Sequence, residues 1–561
     1  MECADAKMAF ESRMRRWLWL APVLLGFLCG SAVLGNRFLA DDDILIVTNP
    51  LTHSLEHLGT LLTGDFFADG AGRAIGYYRP LTRLAFALEY AGFGASPAAF
   101  HAVSLIAFLV SVVLVGRLAR ALGFSQVAAV IVAGFYASHP VQAGNIGVVA
   151  AQSDVFMSGA VMAALLAFRH ARRTGKVRWL GLAACGQLLA VGFKETGLVA
   201  ALLAIAWELL DGRRPDRKRR LAVTLLTFGA PVVAAMGLRV ALGITTPLAR
   251  DLGPMGLLGL GGKLAVGSLL RTLVPVAWTS YLESAWPGPQ PAAALPWALG
   301  ALGLLGVSIL VAWRKPGLRH PLVWLWLPLV PILVLPGRVA MVDDGRVFVL
   351  ADRWLLLSVV GAGGLWVTCG EWLWTVLGRV ARLTLAASAA CVLLLHAILA
   401  RGENASMRSE ETRMLWVGAA LESKSSRTAV EEEWYLASRA VLAVGGRDLA
   451  ASTAIYRSLL QLRPWDFAAR YNLAAALYEE GSIDEALDHA WATYFGISRD
   501  GRQVYPRNDS FYRYRAARAL LLGLIFERKG EREVALRFFH EALALDPQQA
   551  SAKAHVATLE R

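Results

Sequence analysis

Residues 98–118 read AAFHAVSLIAFLVSVVLVGRL, and the first permanently charged side chain in that run is Arg117. A helix of about 20 apolar residues crosses the hydrocarbon of a bilayer. Runs of this kind recur at roughly 17–38, 98–118, 125–143, 145–168, 179–193, 195–211, 221–243, 292–313, 321–336, 354–377 and 383–400. Eleven such segments imply a polytopic, all-α membrane domain over residues 1–400. Composition agrees, with 56% hydrophobic residues among 561 and a mean hydropathy of +0.48. These values exclude a soluble globular enzyme, a disordered chain and a disulfide-stapled secreted domain.

The formal net charge of +13 resembles a nucleic-acid binder until it is divided along the chain. Residues 401–561 carry 22 Lys+Arg against 22 Asp+Glu, so the whole excess lies in residues 1–400, with 34 against 21. There it gathers in short linkers: Arg13 to Arg16, Arg117 and Arg120, Arg169 to Arg178, Arg213 to Arg220, Arg314 to Arg319, Arg379 and Arg382. That is the bias of cytoplasmic loops, not a nucleic-acid surface. With the N-terminus inside and a retained first helix, eleven crossings put residues 39–97, residues 337–353 and the C-terminal region outside. The run 263–283, holding Lys263, Arg271, Pro275 and Glu283, fits no crossing parity and is expected to be re-entrant or interfacial. The five cysteines show no metal or disulfide spacing.

Past Ala400 the pattern becomes that of amphipathic helices of soluble length, with 401–430 a linker and 431–561 a separate domain. Leu522, Gly523, Phe526, Gly530, Ala535, Phe539, Ala542 and Pro547 occupy the diagnostic positions of a tetratricopeptide repeat. Leu473, Ala474, Leu477, Gly481 and Ala486 fill them one repeat earlier, an insertion lies between Phe495 and Phe511, and a weaker repeat ends at Pro464. Stacked helix pairs of this kind form an α-solenoid with a concave face suited to extended peptides.

Several charged residues fall where chemistry is plausible. Asp41, Asp42 and Asp43 follow the first apolar segment and crowd three carboxylates together; a solvated helix end would look the same. Arg79 in Tyr77-Tyr78-Arg79-Pro80 and Arg353 in Asp352-Arg353-Trp354 have the guanidinium chemistry for phosphate, or for anchoring at a membrane interface. Lys194-Glu195 interrupts an apolar stretch from Trp179 to Leu210, either facing a cavity or exposed in a turn. His139 and Asp154 flank a polar stretch, and His139 could bind a substrate or cap a helix. Asn404-Ala405-Ser406 matches a glycosylation sequon.

Taken in order, these residues resemble the GT-C glycosyltransferases, in the tetratricopeptide-bearing branch that holds the TMTC protein O-mannosyltransferases and bacterial relatives. The resemblance runs through Asp41-Asp42, Asn49-Pro50, Tyr77-Tyr78-Arg79-Pro80-Leu81, Phe100-His101, His139-Pro140-Val141, Ser153-Asp154, Lys194-Glu195 and Asp352-Arg353-Trp354, then the repeats. It departs at Phe193, where the family has Ser, at Gln152-Ser153, where it has Arg, and at Gln142, where it has His. The resemblance implies an inverting hexosyltransferase with a polyprenyl-phosphate sugar donor. Asp41 or Asp42 would be the base, and Arg353 or Arg79 would hold the leaving phosphate. Asp43, His139, Asp154, Lys194 and Glu195 would complete the substrate site. No cofactor is required, although the carboxylates could hold a divalent metal. The acceptor would be a protein docked on the repeats. A non-enzymatic envelope scaffold, or transfer to a glycan or lipid, are the alternatives. The excess of Arg over Lys, with abundant Ala, Gly and Leu, points to a bacterial inner membrane with periplasmic repeats.

Overall fold

The computed structural model describes residues 18–39, 41–68, 76–211, 215–245, 253–274, 291–334, 341–343, 346–348, 352–422, 427, 429–464, 466–496, 498–499, 515–545 and 549–561. The chain divides into two compact units, Met1–Glu410 and Glu411–Arg561. Both are helical; the exception among the described residues is a three-residue antiparallel pairing of Met341–Asp343 with Arg346–Phe348.

In the first unit six helices are long and apolar enough to cross a membrane: Pro97–Ala121, Val149–Thr174, Arg217–Ala241, Gly253–Leu273, Ala294–Arg314 and Arg379–Ser406. A seventh is formed if Gln126–Ser138 and Pro140–Ile146, bent by 52° at His139, count as one. Leu20–Gly35 and Arg178–Phe193 are apolar but shorter. The described residues thus support a multi-pass protein with about six spans, not the expected eleven. The reason is that apolar runs do not all become single helices. The run 195–211 begins with a 3-10 turn at Glu195–Leu198 and leaves 12 residues of helix, Val199–Leu210. The run 321–336 breaks into Arg319–Trp326, Leu327–Leu329 and Val330–Val334, where Pro328 supplies no amide to the helical ladder.

The expected re-entrant segment at 263–283 is also revised. A continuous 21-residue helix, Gly253–Leu273, occupies its first half, while Pro275 and Glu283 lie outside the described residues. Gly262 allows this helix to lie against Ala294–Arg314, since a Cβ there would meet the Trp297 carbonyl carbon at 2.5 Å. The helix Val149–Thr174 is the hub, 72% of its apolar window being buried against 11% for Arg379–Ser406. It reverses at Gly175, left-handed at φ +68°, into Arg178–Phe193, which approaches so closely that a Cβ on Gly186 would stand 2.8 Å from the Ala164 methyl. Val161 and Phe168 of the hub share one buried cluster with Phe108, Val132, Tyr136 and Val360.

In the second unit the helix pairs Phe467–Glu480 with Ile483–Phe495, and Arg515–Arg528 with Arg532–Leu545, stand where the repeat positions predict. Gly481 and Gly530 turn between them at φ +87° and +80°, and the Phe539 ring sits where a Cβ on Gly523 would be, 2.5 Å away. Ala429–Gly445 and Leu449–Leu462 form the earlier pair. Pro547 and Phe511 lie outside the described residues. The stretch 401–430, expected to be a linker, is largely helical, with Arg379–Ser406 reaching into it and Glu410–Glu422 filling its middle.

Candidate functional site

Residues 41–68 and 76–93 fold into a cap at one end of the first unit, pinned by buried polar contacts. Arg83 donates to the Thr60 carbonyl at 2.7 Å, Asn49 to that of Ala68 at 3.0 Å, and Thr52 to that of Leu45 at 2.8 Å. The Phe66 amide donates to the Tyr77 carbonyl at 2.7 Å, bringing the two limbs of the cap together.

The three aspartates part company on this frame. Asp42 is fully buried and accepts three backbone amides: Leu39 at 2.9 Å and Val149 at 3.1 Å on Oδ2, and Ala150 at 2.6 Å on Oδ1. Val149 and Ala150 open the hub helix, whose first amides have no intrahelical acceptors and whose dipole favours an anion. Burial raises the Asp42 carboxyl, the three amides oppose the rise, and the balance leaves it at about 7. Asp41 is half-buried, and Asp43 starts a π-helical turn whose carbonyl accepts the Thr48 hydroxyl at 2.9 Å. Among the described residues neither the Asp41 nor the Asp43 carboxylate has a hydrogen-bond or ion-pair partner. Nor do the described residues gather any group of three or more His, Cys, Asp or Glu fit to hold a metal.

Lys194 and Glu195 occupy the break after the helix Arg178–Phe193. Lys194 is extended, at φ −156° and ψ 139°. Neighbouring side chains on extended backbone point in opposite directions. Lys194 accordingly reaches both oxygens of Asp154 at 2.6 Å, on the first turn of the hub helix, with both groups buried. Glu195 takes Arg79 in a bidentate pair at 3.0 and 3.1 Å. Arg79, the N-cap of Pro80–Phe93, also has its guanidinium 4.9 Å from the centroids of both the Phe66 and Tyr77 rings. The dipeptide therefore neither hangs in a solvated turn nor pairs with itself; it fastens two other segments.

Arg353 stands on the 3-10 turn Asp352–Leu355, 6.0 Å from the Trp354 ring, with a buried Nε that has no hydrogen-bond partner. It lies within electrostatic reach of Lys194 and Tyr77. Arg79, Glu195, Arg353 and Asp41, from four separate segments, all lie within electrostatic reach of the Tyr77 phenol. Burial raises the phenol, the two arginines lower it, and the two carboxylates raise it.

His139 lies outside this group. Its Nδ1 accepts the Val141 amide at 3.3 Å, capping Pro140–Gln142, and its ring packs 5.0 Å from His396 and 5.3 Å from Phe135. The helix cap expected of His139 is present. The Asn404 sequon is likewise overturned: Asn404 is fully buried inside a helix and donates to the Cys29 carbonyl at 3.1 Å. Two residues escaped the sequence reading. Tyr77 stands two residues before Arg79 in the quoted motif, but only the guanidinium matched phosphate chemistry. Glu89, buried on Pro80–Phe93, accepts from Gln152 Nε2 at 3.1 Å, and a glutamate within a helix carries no sequence signal of burial. Burial raises its carboxyl to about 8.

Fold and site together define a multi-pass helical membrane protein with a buried charge cluster under a folded cap, followed by a helical-repeat unit. The chain is 31% identical over 221 residues to Protein O-mannosyl-transferase Tmtc2 of Drosophila melanogaster, covering 37% of this chain and 23% of that protein. It is 27% identical over 189 residues to Protein O-mannosyl-transferase Tmtc1 of the same organism, covering 33% and 22%. The chain thus spans less than a quarter of the length of these relatives. No protein-family model matches it. A crystal structure of the APC/C hetero-tetramer Cut9-Hcn1 overlays with a TM-score of 0.26 and 13% identity, over 86% of this chain and 96% of that one, too weak a likeness to inform the fold.

Proposed function

We propose that this chain is a membrane glycosyltransferase that moves a sugar, mannose by likeness to its relatives, from a polyprenyl phosphate to a hydroxyl on a protein. The transfer takes place at the outer face of the membrane, in a GT-C-like domain that precedes the repeats. The observation that carries this reading is a charge inventory. Arg79 is matched by Glu195 and Lys194 by Asp154, while among the described residues neither the Asp41 carboxylate nor Arg353 Nε has a partner. An unpartnered carboxylate and an unpartnered guanidinium, both within electrostatic reach of Tyr77, suit a single displacement: one accepts the acceptor's proton and the other stabilises the departing phosphate.

In this scheme the acceptor oxygen attacks the anomeric carbon, its proton passes to Asp41, and the carbon–oxygen bond to phosphate breaks with inversion. The electron pair stays on the phosphate oxygen, opposite Arg353. Asp42 sets the position of Asp41 by tying its turn to the hub helix. The two ion pairs, with Asp43 nearby, form the fixed walls, and the repeats receive the acceptor. Purified full-length protein should consume polyprenyl-phosphate mannose and label a pool of envelope proteins, and Asp41→Asn should stop both. A wild-type protein that consumes no such donor would favour a scaffold. Consumption that labels only glycans or lipids would overturn the protein acceptor.

A further inference from the structure

The far end of the hub helix carries a second charge network, one that the proposed transfer does not use. Arg172 donates from Nε to Glu208 at 2.7 Å, and from Nη2 to the Arg220 carbonyl at 2.8 Å and the Thr224 hydroxyl at 3.1 Å. Arg220 takes the other Glu208 oxygen at 2.7 Å, and Arg169 reaches both oxygens of Asp211 at 3.2 and 3.3 Å. Two carboxylates thus hold three arginines, and the network pins the last turn of Val149–Thr174 to the first turns of Arg217–Ala241. Arg178–Phe193, which follows the hub, packs against Leu225–Gly229 and Ala230–Ala241 of that same span.

With those carboxylates engaged, the cations that continue the segments stay unpaired. Arg173, Lys176, Lys218 and Arg219 are exposed, and none of their side chains makes an ion pair or hydrogen bond among the described residues. The one other carboxylate described in 169–178 and 215–220 is the exposed Asp216. Apolar side chains stand open beside them. Val177 is 74% exposed between Lys176 and Arg178, and Leu182, Leu225 and Leu226 are exposed a turn or two further along. Arg173 comes 19 residues after Asp154 on the hub, about 28 Å along the helix axis. The patch therefore lies a bilayer's thickness from the Lys194 and Asp154 pair.

We propose that this end of the first unit is a docking surface for anionic phospholipid, with phosphodiester headgroups held by Arg173, Lys176, Lys218 and Arg219 and acyl chains lying on Leu182, Leu225 and Leu226. The charge is complementary, and the apolar surface decides between anions. Inorganic phosphate or an acidic peptide would satisfy the cations and leave the leucines uncovered, whereas a phospholipid meets both. Basic residues at the end of a span also set its orientation, but orientation needs only charge in the loop. A docking surface needs these particular side chains, on helix ends that Glu208 and Asp211 hold in place. It would bind lipid whatever reaction the opposite end of the hub serves.

Full-length protein in mild detergent is offered phosphatidylglycerol, phosphatidylcholine or inorganic phosphate; retained lipid is counted by native mass spectrometry and stability is followed by melting. Wild type should retain phosphatidylglycerol in preference to phosphatidylcholine and melt higher with it, with no such rise from phosphate. Each basic side chain near an anionic surface favours binding about fivefold, so Arg173→Gln, Lys176→Gln, Lys218→Gln and Arg219→Gln together should cut retained phosphatidylglycerol about tenfold or more. A control lacking four exposed cations from other helix ends, Arg117→Gln, Arg314→Gln, Lys315→Gln and Arg379→Gln, should retain it like wild type. Should the first variant fail to fold, the pairs Arg173→Gln with Lys176→Gln and Lys218→Gln with Arg219→Gln decide, each expected to lose about fivefold or more. Equal retention of both lipids by wild type, equal loss in patch and control variants, unaffected pairs, or an equal rise in melting with phosphate overturns the docking surface.

Discussion

Asp41→Asn and Asp42→Asn are adjacent, isosteric changes that should fail in opposite ways. Asn at 42 keeps one acceptor oxygen where the carboxylate has two. If that oxygen serves the Leu39 and Val149 amides, as Oδ2 does now, the Ala150 amide faces Nδ2, donor against donor. A hydrogen bond to a charged group is worth about 1.5–3 kcal/mol and a stranded buried donor costs about 1–3 kcal/mol, so the loss should be about 3–5 kcal/mol. Against a typical domain stability of about 5–15 kcal/mol this is a large fraction. At position 41 the side chain holds nothing, and stability should change by no more than about 0.5 kcal/mol, while turnover falls about a hundredfold or more. Denaturant unfolding in detergent, paired with donor consumption, separates the two. The division of labour is wrong if Asp42→Asn unfolds like wild type, or if Asp41→Asn turns over normally.

Lys194→Met alone should destabilise the first unit by about 3–5 kcal/mol by stranding Asp154, and Lys194→Met with Asp154→Leu should recover most of it; a double-mutant cycle with no coupling would contradict the pairing. Glu89 binds its proton more tightly folded than unfolded. Its contribution to stability is therefore complete below about 4.5 and is lost as pH rises through about 8, and Glu89→Gln should flatten the pH profile of unfolding over that range. An unchanged profile would show that Glu89 is not the group titrating. Gly523→Val places a side chain where the Phe539 ring now sits and should cost about 1–3 kcal/mol, read as faster proteolysis of the repeat unit; equal protease resistance would refute the close packing.

The membrane character and the repeats were legible because each rests on a local pattern. Hydropathy reports apolar length directly, and the repeat positions report helix contacts at fixed spacing, so Gly523 against Phe539 could be read from one motif. The number of spans was not legible. A run such as 321–336 has the apolar length but also Pro328, and whether a proline bends a span or divides it depends on what the neighbouring segments do with the freed backbone groups. The run 263–283 shows a related difficulty: its charges argue against a crossing, while the helix Gly253–Leu273 packs through Gly259 and Gly262 on Ala294 and Trp297, contacts made with a partner that no local pattern names.

For the site, the residue types were legible and their partners were not. Asp41 and Asp42 are the same residue in consecutive positions, and nothing local says which is exposed. That choice is made by the amides of Val149 and Ala150, over a hundred residues away. The same holds for the cations. Arg79, Lys194 and Arg353 are equally plausible phosphate ligands in sequence, and only the positions of Glu195 and Asp154 show that two of them are already engaged. Withdrawing a charge from water is costly unless it is matched; Lys194 is buried and matched, Arg79 is half-buried and matched, and half-buried Arg353 has no partner for its buried Nε among the described residues. A bound anion would relieve it. Arg353, whose buried Nε has no partner among the described residues, is therefore the part of the cluster that stability does not explain, and where a negatively charged ligand would contribute most.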